Sequence, residues 1–263
     1  GGTETQWEYQ IVESGVTPAE TGTTTTEGAV DFTDLTGNTS YDVYLRANCD
    51  SGDNSDWASV TFTTIPSPIV PDYLNDFTVY PGEFWTEGDG AYADGPDSSG
   101  ISSWVADGFA NDGSTGAARM NIYSTFPQEW LISPNFDLSG GTYNLTVDAA
   151  ATEYASSTDD AIWGEDDFAA LMVTVDGGTT WSELYRWDAT NNPGVAGATM
   201  PAIELSGYDG ITQFGFYAES TVSNEDIDFF IDNFLRLRVF ENLELRIAKT
   251  ICSLYKKRNC NKP

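Results

Sequence analysis

The stretch 171–185, LMVTVDGGTTWSELY, decides the fold class of this chain. Its first apolar residues recur at every second position, at Leu171, Val173 and Val175. That two-residue period is typical of a β-strand with one buried face. Gly177 and Gly178 can take the positive φ angles of a tight turn, and Trp181 begins a returning segment. The stretch therefore predicts a β-hairpin whose Leu, Val and Trp side chains enter a core.

Residues 174–181, TVDGGTTW, also resemble the Asp-box signature of sialidases, Ser/Thr-x-Asp-x-Gly-x-Thr-Trp. In such a box the aspartate, here Asp176, accepts backbone N–H bonds and closes the hairpin tip. Sialidases also need an arginine triad and a tyrosine nucleophile, whereas residues 1–235 hold only three scattered arginines. The box therefore indicates a fold element of a secreted β-protein and does not predict a sialidase centre.

The rest of the chain repeats this pattern of short alternating apolar runs between clusters of Gly, Asp, Asn, Ser and Thr. Hydrophobic residues make up 40% and aromatic residues 13% of the 263 residues, enough for one large or two medium folded domains. Such runs predict an all-β fold. We expect no membrane insertion, because no apolar run reaches the roughly 18 residues that a spanning helix needs.

Charge and composition exclude several functions. Residues 1–235 carry 39 acidic and three basic side chains, against two acidic and eight basic ones in residues 236–263. Because residues 1–235 are this acidic, they repel phosphate backbones and anionic membranes. We therefore expect no nucleic-acid partner. The chain contains no histidine, which excludes Ser-His-Asp and Cys-His catalysis and histidine-bound zinc. Cys49, Cys252 and Cys260 form no disulfide framework, and Cys49 is expected to be a small buried residue at a strand end.

Composition divides the chain into four segments. Residues 1–64 and 73–238 are two β-rich regions, separated by the proline-rich linker IPSPIVPD at 65–72. Residues 239–263 hold every lysine of the chain and differ abruptly in composition. We interpret this basic tail as non-native or without a functional role.

In the first region, residues 35–41, LTGNTSY, resemble the Leu-x-Pro-x-Thr-x-Tyr corner of fibronectin type III modules, with Gly37 in place of proline. The resemblance implies that Tyr41, Val43 and Leu45 point inward along one strand. It also implies that the Tyr41 hydroxyl fixes the preceding corner. Because the first strands of such a module are missing, residues 1–64 are predicted to be a partial fibronectin type III (Ig-like) sandwich.

The second region carries, in order, NDFTVYPGEFW, EWLISP, a Leu-containing return strand, TVDGGTTW and IDFFIDN. This order resembles the MAM-like and cleaved-adhesin β-sandwiches of secreted Bacteroidota proteins. The resemblance implies a jelly-roll β-sandwich over residues 73–238, other domains in a longer parent chain, and a secreted or cell-surface location. The match departs from mammalian MAM modules at Thr78, which follows Phe77 where those modules have glutamate, and in having no cysteine within residues 73–238.

Calcium is the cofactor that the resemblance implies. In adhesin-like sandwiches a Ca²⁺ ion commonly joins the first strand to the last. Ca²⁺ takes six to eight oxygen ligands from carboxylates and carbonyls. The matching positions here are Asp76, Asp112, Ser114 and Asp232. The alternative is that these are solvent-exposed loop residues.

Aromatic residues in polar, Gly- and Asp-rich stretches are the candidate sugar-binding residues. They are Trp104, Trp163, Trp187 and Tyr154, with Arg186 as a hydrogen-bond donor. An exposed ring can stack on the apolar face of a sugar. The alternative is that these rings fold down onto the sandwich, as expected for the tryptophans in alternating strands, namely Trp7, Trp57, Trp130 and Trp181.

Together these features predict a non-catalytic adhesion or carbohydrate-binding protein, with polysaccharide or cell-surface glycan as its partner. A purely structural spacer of a secreted hydrolase or protease is the alternative. A glycosidase would need a carboxylate pair such as Asp159–Asp160 or Asp166–Asp167. Such pairs are expected by chance in so acidic a chain, and a solvated acidic surface accounts for them.

Overall fold

The computed structural model describes residues 5–48, 54–124, 128–221 and 225–238. The predictions for Cys49, Cys252, Cys260 and the basic tail lie outside these residues. The chain divides into two compact units, residues 1–67 and 68–263, and the boundary falls inside the predicted linker. In the described part of the chain, no helix has the length and apolar character required to cross a membrane.

The first unit is one antiparallel sheet in the order β2-β1-β3-β4. Its strands are β1 (Trp7–Glu13), β2 (Thr23–Thr25), β3 (Ser40–Ala47) and β4 (Ala58–Thr63). The Tyr41 hydroxyl accepts a hydrogen bond from the Thr36 backbone N–H at 3.0 Å, which is the corner contact that the sequence predicted. The identification of this unit as fibronectin type III stays a prediction.

The two faces of this sheet differ in polarity. On one face, Glu8 accepts from Arg46 at 2.6 Å and Asp42 accepts from Thr61 at 2.5 Å. The opposite face is apolar and carries Trp7, Tyr9, Tyr41, Val43, Leu45, Val60 and Phe62. Residues 27–30 and Phe32, together with part of this apolar face, line an open pocket of about 390 Å³. Tyr41 is buried, whereas Leu45, which was predicted to point inward, is exposed, as are Val60 and Phe62.

The second unit contains two antiparallel sheets. The six-stranded sheet has the order β13-β12-β16-β9-β6, with β10 beside β16. Its strands are β6 (Thr86–Asp89), β9 (Gln128–Ile132), β10 (Phe136–Asp137), β12 (Phe168–Thr174), β13 (Ser182–Trp187) and β16 (Ile211–Glu219).

The seven-stranded sheet has the order β14-β11-β17-β8-β7, with β15 beside β11 and β5 beside β17. Its strands are β5 (Tyr73–Asn75), β7 (Val105–Asp107), β8 (Ala117–Ile122), β11 (Tyr143–Glu153), β14 (Ala198–Thr199), β15 (Ile203–Glu204) and β17 (Ile227–Arg238). A 3₁₀ turn, Phe109–Asn111, lies between β7 and β8. β5 and β17, the first and last strands of this unit, pair with each other.

One apolar core lies between these sheets, because alternate residues of the facing strands point inward. It includes Phe77, Trp85, Leu131, Leu145, Leu171, Phe214, Phe216, Phe229, Ile231 and Phe234. The predicted all-β class and the β-sandwich of the second unit are confirmed.

The 171–185 hairpin forms between β12 and β13. Leu171 and Val173 enter the core as predicted, but the prediction was wrong for Val175, which is exposed just beyond the end of β12. Trp181 also differs from expectation. Its ring packs on the outer side of the six-stranded sheet, 5.1 Å from the ring of Trp130.

Asp176 closes the hairpin tip as the Asp-box pattern predicts. It accepts hydrogen bonds from the Thr180 N–H at 2.9 Å and from the hydroxyls of Thr180 and Thr174 at 2.7 and 2.8 Å. These bonds, led by that of the Thr180 N–H, lower the pKa of Asp176 to about 2. The carboxylate is therefore held in its ionised form.

This lowered pKa predicts a pH dependence. An ionised Asp176 stabilises the folded state above the unfolded-state pKa of about 4, and this stabilisation is lost as pH falls towards 2. In thermal melts of the full chain between those pH values, the melting temperature should fall less with acid in Asp176→Asn than in the wild type. Asp209→Asn, an exposed change outside the hairpin, is the control. Parallel curves for all three proteins would contradict this role.

Candidate functional site

Three of the predicted sugar-binding residues are buried, which corrects the expectation that they are exposed. Trp104 and Trp187 are each 2% exposed and Trp163 is 8% exposed. All three rings pack around Phe229, at centroid distances of 6.3, 5.3 and 6.2 Å respectively. These tryptophans belong to the core and present no ring to a ligand at the surface.

Arg186 lies on the outer side of the six-stranded sheet, where its side chain is already engaged. Its guanidinium stacks on the Phe168 ring at 3.8 Å and forms an ion pair with Glu183 at 2.5 Å. Glu183 also accepts from the Tyr92 hydroxyl at 2.7 Å. We name the surrounding rings the outer aromatic patch, comprising Tyr92, Trp130, Phe168, Trp181 and Tyr217. These contacts hold the Arg186 guanidinium against Phe168 and Glu183.

Tyr154 is the predicted sugar-binding residue that the structure places on a concave surface. Its side chain is 58% exposed, and it lines a pocket of about 410 Å³. The other described lining residues are Glu153, Ile162, Glu225 and Asp226, and we name this site the Tyr154 pocket. Ile162 is 66% exposed. The site thus combines two exposed apolar side chains with three carboxylates.

Backbone pairing brings these residues together. After Tyr154 the chain turns back along β11, with hydrogen bonds from Glu153 N to Asp159 O at 3.1 Å and from Ala161 N to Ala151 O at 3.3 Å. Tyr154 N donates to Asp226 O at 2.9 Å, which joins this loop to the segment before β17.

A buried carboxylate supports the pocket from beneath. Asp228 is 1% exposed and accepts from Arg119 at 2.6 Å and from the backbone N–H of Ala155 at 2.8 Å. Ala155 has a φ of 54°, an uncommon conformation for alanine, and this hydrogen bond helps to hold it. Asn121 donates to Asp226 at 2.8 Å and to Asp228 at 3.2 Å. These bonds fix the backbone on both sides of Tyr154.

The predicted calcium ligands lie in two places. Asp76 follows β5, and its charge, with that of Asp148, acts on Asp232 in β17. Burial, followed by repulsion from these two carboxylates, raises the pKa of Asp232 to about 6. Asn233, with a φ of 47°, donates to Asp148 at 2.9 Å.

Asp112 and Ser114 are exposed in the loop between the 3₁₀ turn and β8. Within the described residues, neither makes a hydrogen bond to Asp76 or Asp232. No group of three or more acidic or cysteine side chains in those residues is arranged closely enough to hold a metal ion. The four predicted ligands therefore do not form a preassembled metal site.

Carboxylates of the two candidate glycosidase pairs accept hydrogen bonds from backbone N–H groups of nearby loops. Asp167 is buried and accepts from the Gly164 N–H at 2.9 Å, and Asp166 accepts from the Thr221 N–H at 2.7 Å. Asp160 accepts from the Val195 N–H at 2.6 Å. These carboxylates hold loops in place.

Comparison with known proteins gives no family and no curated relative, since neither search finds a match. Among solved structures, the chain is similar to a carbohydrate-binding module of the β-sandwich superfamily, with a TM-score of 0.37, 14% identity, and coverage of 90% of this chain and 86% of that one. It is also similar to the K1 cleaved adhesin domain of Lys-gingipain from Porphyromonas gingivalis W83, with a TM-score of 0.42, 18% identity, and coverage of 64% and 98%.

A third similarity is to a glycoside hydrolase family 43 arabinoxylan arabinofuranohydrolase from Bacillus subtilis, solved with cellotetraose. The TM-score is 0.33 and the identity 10%, with coverage of 75% of this chain and 38% of that enzyme. At these scores the similarities assign neither a family nor a function to this chain.

Proposed function

We propose that the second unit binds carbohydrate without catalysis, in adhesion or polysaccharide capture, as part of a longer secreted or cell-surface bacterial protein. The observation that carries this proposal is the Tyr154 pocket. Its volume of about 410 Å³ lies within the range of about 300–1,000 Å³ common for small-molecule sites. Its position on loops held by a rigid sandwich is typical of binding sites.

The chemistry of the pocket suits a sugar. The exposed Tyr154 ring can stack on the apolar face of a pyranose, and Ile162 extends that apolar surface. The carboxylates of Glu153 and Asp226 can accept hydrogen bonds from hydroxyl groups, and such charge-assisted bonds are about twice as strong as neutral ones. Stacking and acceptor groups on one concave surface together support recognition of a sugar ring.

The test is a glycan array with the full chain, in the wild type and in two pocket variants, Tyr154→Ala and Ile162→Ala. Tyr154→Ala should weaken retention by up to about tenfold, since the loss of one stacked ring costs about 0.5–1.5 kcal/mol, and Ile162→Ala should weaken it less. Both side chains are exposed, so melting temperatures should remain unchanged.

Ile211→Ala is the matched control, because Ile211 is an exposed isoleucine at the start of β16, away from the pocket. It should bind as the wild type does. Wild-type protein that binds no glycan would favour the alternative of a structural spacer. Release of shortened oligosaccharides would show that the protein is an enzyme.

Calcium binding at Asp76 and Asp232 remains our second proposal, in which the ion itself draws its ligands together, since the described residues hold no preassembled group of three such ligands. What supports it is the position of Asp232, whose pKa is raised first by burial and then by the charges of Asp148 and Asp76, because a bound divalent cation would stabilise its ionised form. Such an ion would join the paired strands β5 and β17. Asp112 and Ser114 can contribute only if their loop closes on the ion.

The calcium proposal predicts that Asp232→Asn is more stable than the wild type without calcium and does not respond to calcium. Calcium should raise the melting temperature of the wild type by several degrees over that in chelator, because it binds only the folded state. Without calcium, Asp232→Asn should melt higher than the wild type near pH 7, since a raised pKa means that ionising Asp232 destabilises the fold above about pH 6. The same variant should lose the response to calcium. A wild-type melt that is identical with calcium and with chelator would contradict the site.

A further inference from the structure

The Tyr154 pocket is negatively charged. None of its five described lining residues is basic, and three are carboxylates. Arg119, the nearby arginine of the supporting network, is held by Asp107 at 2.7 Å and Asp228 at 2.6 Å. The carboxylates of Glu153 and Asp226 take part in none of the ion pairs formed by the described residues.

This charge selects among sugars. A ligand carrying carboxylate or sulfate groups would be repelled, both by the pocket and by a chain of net charge −30. A neutral sugar would gain only stacking and hydrogen bonds. A sugar carrying an ammonium group would also gain ion pairs with Glu153 and Asp226 and a cation–π contact with Tyr154.

Resting on the proposed carbohydrate binding, we infer that the Tyr154 pocket selects amino sugars with free ammonium groups, such as oligomers of 2-amino-2-deoxyglucose. The apolar rim favours such a sugar over the lysine side chain of a peptide. Tyr154 and Ile162 present two exposed apolar side chains beside the carboxylates, which suits a rigid ring with an apolar face. A flexible alkyl chain would lose more conformational entropy on binding.

The test is calorimetric titration of the full chain with glucosamine oligomers, with N-acetylglucosamine oligomers of the same length, and with a lysine oligopeptide. Salt is kept high, so that attraction between the acidic surface and any polycation is screened. Free amines should raise affinity about two- to fivefold over the acetylated oligomer, since Glu153 is exposed and an exposed ion pair contributes up to about 1 kcal/mol. The lysine peptide should bind weakly.

Variants of the lining carboxylates test whether the pocket itself causes the preference for free amines. Glu153→Gln and Asp226→Asn should each reduce glucosamine affinity several-fold and reduce affinity for the acetylated oligomer by less, because only the free amine forms an ion pair with these carboxylates. Asp209→Asn removes an equal charge just before β16, at the opposite end of that strand from residues 225–226, and should change neither affinity.

Each outcome has a distinct meaning. Equal affinity for both oligomers, abolished by Tyr154→Ala, would overturn the selectivity and leave carbohydrate binding intact. Failure of both oligomers and of the glycan array would overturn both proposals. Equal losses in Asp209→Asn and in the pocket variants would show non-specific attraction and overturn the inference. Tighter binding of the lysine peptide would replace the sugar with a basic peptide.

Discussion

Replacing Trp187 with alanine is expected to lower the free energy of unfolding of the second unit by about 3–5 kcal/mol. The ring is 2% exposed and contacts Phe229 and Tyr185 at centroid distances of 5.3 and 5.0 Å. Its removal leaves a large cavity in a sandwich whose total stability is on the order of 5–15 kcal/mol. Urea unfolding of the full chain, followed by circular dichroism, measures the loss.

Tyr154→Ala is the control for this experiment, because its side chain is exposed and its loss should leave the unfolding midpoint unchanged. The two variants should therefore separate stability from binding. Trp187→Ala should lose stability while its folded fraction still binds sugar, and Tyr154→Ala should do the reverse. Loss of binding in Trp187→Ala at unchanged stability would contradict the core position of the ring.

Replacing Arg236 with methionine is expected to raise the free energy of unfolding by about 1–3 kcal/mol. Arg236 is 0% exposed, and its three guanidinium nitrogens have no hydrogen-bond partner among the described residues. Burying a charge without a partner costs several kcal/mol, and methionine fills a similar volume without charge. The rings of Phe136 and Phe214, at 4.1 and 4.5 Å from the guanidinium carbon, offset part of that cost.

The direction of the pKa shift agrees with this expectation. Burial lowers the pKa of Arg236 to about 9, so below that pH the folded state carries a charge that it disfavours. Arg186→Met is the control, because it removes an equal charge at the surface. Urea unfolding at neutral pH should give a higher midpoint for Arg236→Met and no gain for Arg186→Met. A lower unfolding midpoint for Arg236→Met would contradict this expectation. It would show that the contacts of the guanidinium stabilise the fold by more than the burial of its charge destabilises it.

The local features of the fold could be predicted from the sequence. Residues 171–185 specify their hairpin through alternation, two turn glycines and one aspartate, and all of these act within a few residues. The Tyr41 corner contact spans five residues and was predicted for the same reason. Such features require no knowledge of distant parts of the chain.

The wrong prediction of exposed tryptophans concerns which alternate residues of an extended segment face the core. Ala161, Ile162 and Trp163 alternate in the structure, with Ile162 outward and Trp163 inward, whereas the polar stretch around Trp163 had suggested an exposed ring. A shift of one residue exchanges the two faces of an extended segment. Nothing local fixes that phase, because it depends on which ring fits beside Phe229.

The pocket and the acid cluster depend on pairing between distant strands. Tyr154 meets Asp226 because β11 pairs with β17, across more than 70 residues of sequence. Asp148 joins Asp232 beside the irregularity in the same ladder, between Thr146 and Asp148. Only the exposed tyrosine itself carried a signal in the sequence, and the lining acids did not stand out in so acidic a chain.

The most direct test of carbohydrate binding at the Tyr154 pocket is a crystal structure of the full chain with the oligosaccharide that the array selects. We predict a pyranose ring within about 4.5 Å of the Tyr154 ring, with hydroxyl or ammonium groups hydrogen-bonded to Glu153 or Asp226. An ordered sugar on the outer aromatic patch, with the Tyr154 pocket holding none, would contradict the proposed site.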